Sequence, residues 1–296
     1  MLEKLLTEQP NPASAAIDTL PTEQVLRIIN AEDRKVALAV EREIPAIARA
    51  VDAIVSALQS GGRLFYIGAG TSGRLGVLDA SEIPPTFSAP PDMVQGIMAG
   101  GEAALSRATE TTEDDPAIGV RDLIARGFTG RDVLVGLAAS GRTPYVLGAV
   151  GEARRLGAVT IGLCCTPDAE LSAAVDIPIA VLVGPEVVAG STRMKSGTAQ
   201  KLVLNMLSTA TFVRLGYVYG NLMVNVQPKN HKLVNRACRI IAQAAGIAPE
   251  RAAELLAQSG NSVRTAIVMG TAGVGRPEAE RRLAASGGRV RQALGK

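Results

Sequence analysis

The feature that most restricts the fold is a change of hydrophobic period after residue 62. Residues 63–67 form a short apolar run that ends in the glycine-rich segment 68–73, which is typical of a buried strand running into a loop. Similar runs occupy residues 132–138, 158–164 and 177–183, and residues 144–156 and 196–215 between and after them have a helical period. Apolar strands alternating with helices predict a parallel sheet covered on both faces, an open doubly wound α/β fold.

Helices are predicted on both sides of this sheet domain. In residues 1–59, Ala, Val, Leu and Ile recur three and four apart, so this stretch is expected to form an N-terminal helical arm, with one helix starting after residue 23 and another near residue 30. The sheet domain is placed at residues 60–220. Residues 231–296 contain short helical segments separated by glycine and are expected to form a small helical bundle.

The predicted bundle contains an internal repeat. Residues 256–267 agree with residues 283–294 at 7 of 12 positions, and a Pro-Glu pair suited to a helix start precedes each copy. Shared turn chemistry and true duplication explain this agreement equally well. Each copy predicts a helix, a glycine turn and a second helix.

The composition is that of a globular protein and argues against nucleic acid as a partner. Of 296 residues, 47% are apolar and 20% charged; Phe and Tyr together number 8, and Trp is absent, so stacking on bases is a poor explanation of function. Residues 231–296 hold 11 basic and 4 acidic side chains, against 6 basic and 9 acidic in residues 1–60. Because the basic residues of the tail alternate with Ala and Leu at helical spacing, they indicate a solvated helix face.

Cysteine and histidine are too few for a disulfide scaffold or a zinc site. The three cysteines have no Cys-x-x-Cys spacing, and the chain has one histidine, so no metal is expected. No run of 18 uncharged apolar residues occurs, and Glu3, Lys4 and Glu8 interrupt the N-terminus where a secretory signal would need an apolar stretch. The sequence therefore predicts a soluble cytoplasmic protein with no membrane partner.

Three segments rich in glycine and hydroxyl side chains follow predicted strands, at residues 68–74, 139–144 and 190–197. In open parallel sheets, ligands bind beyond the carboxyl ends of strands, where helix N-termini attract anions. The first segment lacks the acidic residue of a dinucleotide site, and the chain has no Gly-x-x-x-x-Gly-Lys-Ser/Thr sequence for ATP. Three such loops together predict a site for a small phosphorylated molecule.

The motifs carry a family resemblance that extends over almost the whole chain. The hydroxyl-rich loops resemble the sugar isomerase (SIS) domain, and GAGTSGRLGVLDASEIPPTF at residues 68–87 resembles the N-acetylmuramic acid 6-phosphate etherase family. Further matching stretches are TEQPNP (7–12), INAEDRKVALAV (29–40), TTEDD (111–115) and GSTRMKSGTAQKLVLNMLST (190–209).

The resemblance implies cleavage of the lactyl ether on carbon 3 of N-acetylmuramic acid 6-phosphate, giving N-acetylglucosamine 6-phosphate and D-lactate in cell-wall sugar recycling. It also implies an SIS-type αβα sandwich, a homodimer, and no metal or organic cofactor. In the open-chain sugar the aldehyde acidifies the proton on carbon 2. A base removes this proton, lactate leaves carbon 3, and water then adds, so two carboxyl groups suffice as base and acid.

The family pattern assigns catalysis to Glu82 and Glu113. Glu82 is expected to be the acid, because four apolar neighbours would desolvate its carboxyl group and favour the protonated form. Glu113 is assigned the base, while the other acidic residues around it, Glu110 included, fit a solvated loop or a helix start. The neighbours of Glu82 are Ile83, Pro84, Pro85 and Phe87.

The same pattern places the phosphate on hydroxyl side chains of the three loops. Lys195 is expected either to neutralise phosphate or the lactate carboxylate, or to be a surface charge, with equal weight. Near the tail the pattern points to Asn230, Lys232 and Arg236 and treats the lone His231 as structural or incidental. The predicted phosphate ligands are Thr71, Ser72, Ser140, Thr143, Ser191 and Thr192.

Two other functions remain open on the sequence. A non-catalytic sugar-phosphate sensor is one, since SIS domains also serve in regulators, although the acidic residues 1–60 disfavour a DNA-binding repressor. An aldose–ketose isomerase is the other, because it uses the same enolising chemistry without a leaving group. The motif around Glu82 argues against the isomerase.

Overall fold

The computed structural model describes residues 6–107, 112–228 and 230–295, and its centre is a five-stranded parallel sheet. The strands stand in the order β2-β1-β3-β4-β5, so the chain leaves β1 toward one edge and returns to the other side of β1 for β3. This confirms the doubly wound α/β fold and puts the topological switch point between β1 and β3. The strands are β1 (Leu64–Gly68), β2 (Val94–Met98), β3 (Val133–Leu137), β4 (Val159–Cys164) and β5 (Ile177–Ala180).

Helices precede, connect and follow the strands. The first eight are α1 (Thr22–Arg42), α2 (Ile44–Gln59), α3 (Gly70–Phe87), α4 (Ala103–Ser106), α5 (Pro116–Ala125), α6 (Pro144–Arg155), α7 (Glu170–Ala174) and α8 (Lys195–Leu215). After them come a two-stranded antiparallel ribbon of β6 (Val218–Tyr219) and β7 (Leu222–Met223), and the helices α9 (His231–Ala245), α10 (Pro249–Gln258), α11 (Val263–Ala272), α12 (Arg276–Ala285) and α13 (Val290–Ala293).

Side chains of β1 alternate between the two faces of the sheet, as the period of a strand requires. Phe65 and Ile67 are fully buried in a core cluster with residues of α6 such as Val146. Tyr66 faces the other way, and its hydroxyl donates to Asp79 on α3 at 3.0 Å. Both faces of the sheet are therefore covered by helices.

The edge strand β2 is absent from the strands predicted by the sequence. Gln95 and Gly96 interrupt its apolar run, and both are only half-buried because β2 pairs with β1 on one side alone. An edge strand needs less apolar sequence than a central one, so its pattern is weaker.

The predicted N-terminal helical stretch is two helices. The break falls at Glu43, whose φ of −92° and ψ of 0° lie outside the helix, and Pro45 follows in the first turn of α2. Proline fits the first turn because it has no N–H to donate, and it restricts the residue before it. The second helix thus starts at residue 44 and not near residue 30, where the sequence pattern predicts it.

The described residues form two compact units. One holds those up to Ser81 together with those of Pro91–Ser208, and it contains the parallel sheet. The other holds Glu82–Pro90 and the described residues of Thr209–Lys296. The helices of the first 60 residues thus share a unit with the sheet, whereas the three-part domain division at 1–59, 60–220 and 231–296 stays a prediction.

The second unit has its own core and contains the repeat. Buried residues of α9, α10, α11 and α12, including Ile241, Leu256, Ile267 and Leu283, form one cluster. Each copy of the repeat is a helix, a glycine turn with positive φ and a second helix, as predicted; the first turn has Gly260 at φ +67°.

Within the described part of the chain, no helix is both long enough and apolar enough to cross a membrane.

Candidate active site

The three hydroxyl-rich loops meet at the carboxyl edge of the sheet. The first follows β1 and the second follows β3, and these strands are neighbours, with Gly68 beside Leu137. The third lies before α8, where a Cβ added to Gly197 would be 3.4 Å from Thr71 of the first loop. The Cys165 thiol also donates to the Ser196 carbonyl at 3.8 Å, which joins the end of β4 to the start of α8. The structure thus brings the three loops together beside the switch point.

The first loop turns directly into α3 through close backbone contacts. A Cβ at Gly73 would lie 2.5 Å from the Gly68 oxygen, and one at Gly68 would lie 2.8 Å from the Gly73 nitrogen, so only glycine permits this approach. Gly73 N–H makes the first helical bond, to Ala69. The amides that precede it at the helix start have no partner within the helix, which makes this N-terminus attractive to anions.

Ser72 and Thr71 lie at this helix N-terminus with different surroundings. Thr71 is half-buried, whereas Ser72 is 8% exposed and its hydroxyl donates to the side-chain oxygen of Gln200 on α8 at 2.9 Å. A hydroxyl has one proton to donate. In this structure the proton of Ser72 is therefore engaged by the protein itself.

The second loop offers two half-buried hydroxyl groups ahead of α6. Ser140 accepts a 3.4 Å hydrogen bond from the Arg142 amide, and Gly141 has φ +67°, a conformation that favours glycine. Thr143 is the residue before α6, and its side chain does not cap the helix. Both hydroxyl groups keep donor capacity for a ligand.

The third loop differs, because carboxylates of the protein already bind its lysine side chain and the amides at the start of α8. Glu186 is fully buried and accepts from the amides of Lys195 and Ser196 at 3.0 and 2.9 Å, so it caps α8. The Lys195 ammonium is 1% exposed and donates to Glu32 at 2.7 Å. Its charge is balanced inside the protein, and it is not the surface charge that the sequence left open. Its predicted role at a phosphate stays untested.

Glu32 is held by three donors and stays charged. Its side chain is 4% exposed, and burial alone would raise its pKa, but hydrogen bonds from Lys195, Lys35 and Asn11 outweigh burial and lower the pKa from 4.5 to about 2. Asn11 donates to Glu32 at 3.0 Å and to the Pro185 carbonyl at 3.0 Å. The N-terminal segment and α1 thus brace the chain that leads into the third loop.

Ser191 and Thr192 are the half-buried hydroxyl residues of the third loop. The loop turns at Gly190, which has φ +78° and donates to the Thr7 carbonyl at 3.0 Å. Neither hydroxyl makes a hydrogen bond to another residue in the described ranges. These two side chains are free to contact a ligand from the side of the third loop.

Glu113 lies beside the second loop. Its backbone carbonyl accepts from the Tyr145 amide in the first turn of α6 at 3.0 Å, and the residue is half-buried. Asp115 caps α5 by accepting from the Ala117 amide at 2.8 Å, which confirms a helix start for part of this acidic run. Glu110 lies outside the described residues.

Glu82 does not have the apolar surroundings that the sequence suggested. Its side chain is exposed, while Ile83 and Phe87 turn inward and are 4% and 5% exposed. Phe87 stacks on Phe212 with ring centroids 4.5 Å apart. The expectation that these neighbours desolvate the Glu82 carboxyl is therefore wrong for the described chain, because on a helix consecutive side chains point in different directions.

The residues noted near the tail have structural or exposed positions. The Asn230 side chain caps α9 by accepting from the Leu233 amide at 2.9 Å, and His231 and Lys232 are exposed in the first turn.

Cys164 and Cys165 are fully buried, and burial raises the pKa of both thiols. Both cysteines are packing residues.

Sequence reasoning missed Gln200, Glu32 and Glu186. Gln200 and Glu32 lie inside motifs that matched the family, but a polar residue in a helical run gives no sign of its partner. Glu186 lies nine residues before Lys195, the first residue of α8, so its position in the sequence does not identify it as the cap of that helix. None of the three has a local pattern that identifies what it binds.

Comparison with known proteins decides the family. Residues 46–153 match the glucokinase regulatory protein N-terminal SIS domain. An N-acetylmuramic acid 6-phosphate etherase from Symbiobacterium thermophilum is 57% identical over 92% of this chain and 91% of its own length. The chain belongs to the N-acetylmuramic acid 6-phosphate etherase family. A second etherase, from Photorhabdus laumondii, is 54% identical over the same shares of both chains.

Solved structures show a more distant likeness to this etherase family member. A phosphoheptose isomerase from Francisella tularensis is 21% identical and overlaps 64% of this chain and 100% of its own, with a TM-score of 0.47. A likeness this distant says nothing about the reaction of this chain.

Proposed function

We propose that the chain is a carbon–oxygen lyase that cleaves the D-lactyl ether of N-acetylmuramic acid 6-phosphate. The products are N-acetylglucosamine 6-phosphate and D-lactate. The proposal rests on the family and on one structural observation: Glu113 is held at the start of α6, next to hydroxyl-rich loops that converge at the switch point. A carboxylate beside an anion site is what proton abstraction from a sugar phosphate requires.

The phosphate is assigned to hydroxyl groups and helix N-termini. Ser72, Ser140 and Thr143 donate to its oxygens, with Thr71 adjacent, and the dipoles of α3 and α6 favour the negative charge. Ser191 and Thr192 contribute from the third loop. Lys195 supports this loop through Glu32, and its contact favours that structural role over a direct phosphate contact.

Glu113 acts as the base in the elimination. Its carboxylate takes the proton from carbon 2 of the open-chain sugar, and the electron pair moves onto the aldehyde as an enolate. When the aldehyde re-forms, this pair becomes the double bond between carbons 2 and 3, and the bond from carbon 3 to the lactyl oxygen breaks at the same time, its electrons leaving on that oxygen. The aldehyde at carbon 1 makes this step possible by delocalising the charge, so no cofactor takes part.

Glu82 acts as the acid, because an alkoxide is a poor leaving group. Its carboxyl proton goes to the lactyl oxygen, and water then adds to carbon 3 of the unsaturated aldehyde while a proton returns to carbon 2. Each positioned acid or base contributes roughly 10²- to 10⁴-fold in rate. Since Glu82 is exposed in the single chain, bound substrate or a second subunit has to exclude water from it.

The enzyme is further proposed to be a cytoplasmic homodimer. The homodimer is what the family resemblance implies, and within it we propose that Glu82 of one subunit serves the phosphate site of the other.

The function is tested by product analysis in heavy-oxygen water. The purified protein is incubated with N-acetylmuramic acid 6-phosphate and the products are analysed by mass spectrometry, with the Glu82→Ala variant in parallel. Free D-lactate and N-acetylglucosamine 6-phosphate with the heavy label at carbon 3, both lost in the variant, are expected. Intact substrate that still binds would instead support a sugar-phosphate sensor, and a ketose product would support an isomerase.

A further inference from the structure

The side-chain amide of Gln200 lies in the interior of the protein, and of its two polar atoms only the oxygen has a hydrogen-bond partner among the described residues. The residue is 1% exposed, and its oxygen accepts the Ser72 hydroxyl at 2.9 Å. Its amide nitrogen is buried and has no hydrogen-bond partner among the described residues. Buried donors are nearly always paired in folded proteins, so this nitrogen calls for an explanation.

The hydroxyl of Ser72 cannot serve Gln200 and a phosphate in the same way. It has a single proton, and phosphate oxygens of a dianion only accept. When Ser72 donates to phosphate, the Gln200 oxygen in its present orientation faces another acceptor. The hydrogen bond that exists in the free protein therefore has to be exchanged for another when phosphate binds.

Rotation of the Gln200 amide by half a turn removes this conflict. The side-chain nitrogen then takes the place of the oxygen and donates to a lone pair of Ser72, whose proton is released toward the phosphate. The two amide ends have nearly the same shape, so the rotation needs no movement of α8 or α3. A glutamate at this position would only accept when ionised, and a methionine could not donate at all.

We propose that Gln200 is a positioning residue that switches the Ser72 hydroxyl between donating to the protein and donating to the substrate phosphate. This inference rests on the phosphate site of the proposed function. It predicts that the amide nitrogen of Gln200, unpaired in the free protein, becomes paired to Ser72 when a phosphorylated sugar binds. Gln200 then acts on affinity through Ser72, without touching the substrate.

The test measures binding of N-acetylglucosamine 6-phosphate by calorimetry to the full chain and its variants. Gln200→Met removes the bond to Ser72 from both states, but the bond in the bound state is the stronger one because the phosphate polarises the Ser72 hydroxyl, so binding is expected to weaken about tenfold. Gln200→Glu is expected to weaken it more, roughly a hundredfold, because the ionised carboxylate holds the Ser72 proton and repels phosphate. In a Ser72→Ala background, Gln200→Met is expected to add almost nothing, because the residue acts through Ser72.

The pH profile of Gln200→Glu separates positioning from a merely structural role. Protonation lets the introduced carboxyl group donate to Ser72, so the affinity ratio of this variant to the unmodified protein should recover as pH falls toward 5. Circular dichroism checks folding, and Gln200→Met carries the test if the acidic variant does not fold.

Two results would overturn the inference. One is unchanged affinity in folded Gln200→Met; the other is an equal effect of that change with and without Ser72. In both, the unmodified protein still binds the sugar phosphate, so the proposed function survives. Failure of the unmodified protein to bind it would overturn the proposed function and the inference together.

Discussion

Glu113 differs from its acidic neighbours in what holds it. Its backbone is fixed to α6 through Tyr145, while Asp114 is exposed and Asp115 caps α5. Glu113→Gln should abolish exchange of the carbon 2 proton with deuterated solvent, because the amide cannot accept that proton. The exchange is measured by NMR on N-acetylmuramic acid 6-phosphate, with Asp114→Asn as the matched control. Retained exchange in folded Glu113→Gln would give the role of base to another group.

The buried pair of Glu32 and Lys195 predicts a definite dependence of stability on pH. Because the folded pKa of Glu32 lies near 2 and its ordinary value is 4.5, the carboxylate contributes stability above pH 4.5 that is lost as pH falls toward 2. That difference corresponds to about 3 kcal/mol. Urea unfolding across this range should show a smaller loss for Glu32→Gln with Lys195→Met than for the unmodified protein.

The single variant Glu32→Gln is expected to differ in stability from the double variant Glu32→Gln with Lys195→Met. It leaves the Lys195 ammonium buried without its carboxylate, which should destabilise the fold by about 3–5 kcal/mol at pH 7. The double replacement should recover most of this loss, since both charges are gone. Equal stability of the single and double variants would show that the two residues do not act as a pair.

At the scale of elements, α5 and α6 touch through glycine. A Cβ at Gly119 would lie 1.9 Å from the backbone oxygen of Tyr145, so Gly119→Ala must force the two helices apart. This is the place where the Tyr145 amide donates to the Glu113 carbonyl. The expected cost is about 1–3 kcal/mol or more, together with a lower rate of catalysis. Gly151 on α6 has nothing within 4 Å of its added Cβ, so Gly151→Ala should be neutral or stabilise the fold by up to about 1 kcal/mol. The stabilities of the two variants are compared through their urea unfolding midpoints. Equal midpoints would contradict the close contact at Gly119.

The pattern of the sequence predicted elements where burial is continuous. The central strands β1, β3 and β4 are almost entirely apolar and were found within one or two residues. The edge strand β2 was missed because Gln95 and Gly96, which are half-buried, interrupt its apolar run, and the break at Glu43 was misplaced because helical period continues across it. Hydrophobic periodicity reflects burial. It therefore does not identify a strand whose burial is partial, or a break between two helices that share one apolar face.

At the scale of the whole molecule, the proposed homodimer is tested by mixing subunits. Glu113→Gln, which lacks the proposed base of the phosphate site, and Glu82→Ala are each expected to be inactive alone. If one subunit supplies Glu82 to the phosphate site of the other, random pairing should restore about a quarter of the full activity, because half of the dimers carry one intact site of two. No recovery after mixing, with dimers verified by light scattering, would place both residues of a site on the same chain.

The sequence by itself determined the alternation of strands and helices, the three hydroxyl-rich loops and the family motifs. These are local properties, set by period, by glycine and by short runs of residues. The tertiary structure alone decided which partner each polar group takes: Ser72 bonds to Gln200 across 128 residues, and Lys195 to Glu32 across 163. The physical reason is that such bonds form between side chains that only the packed helices and loops bring within 3 Å, and no local pattern encodes the partner.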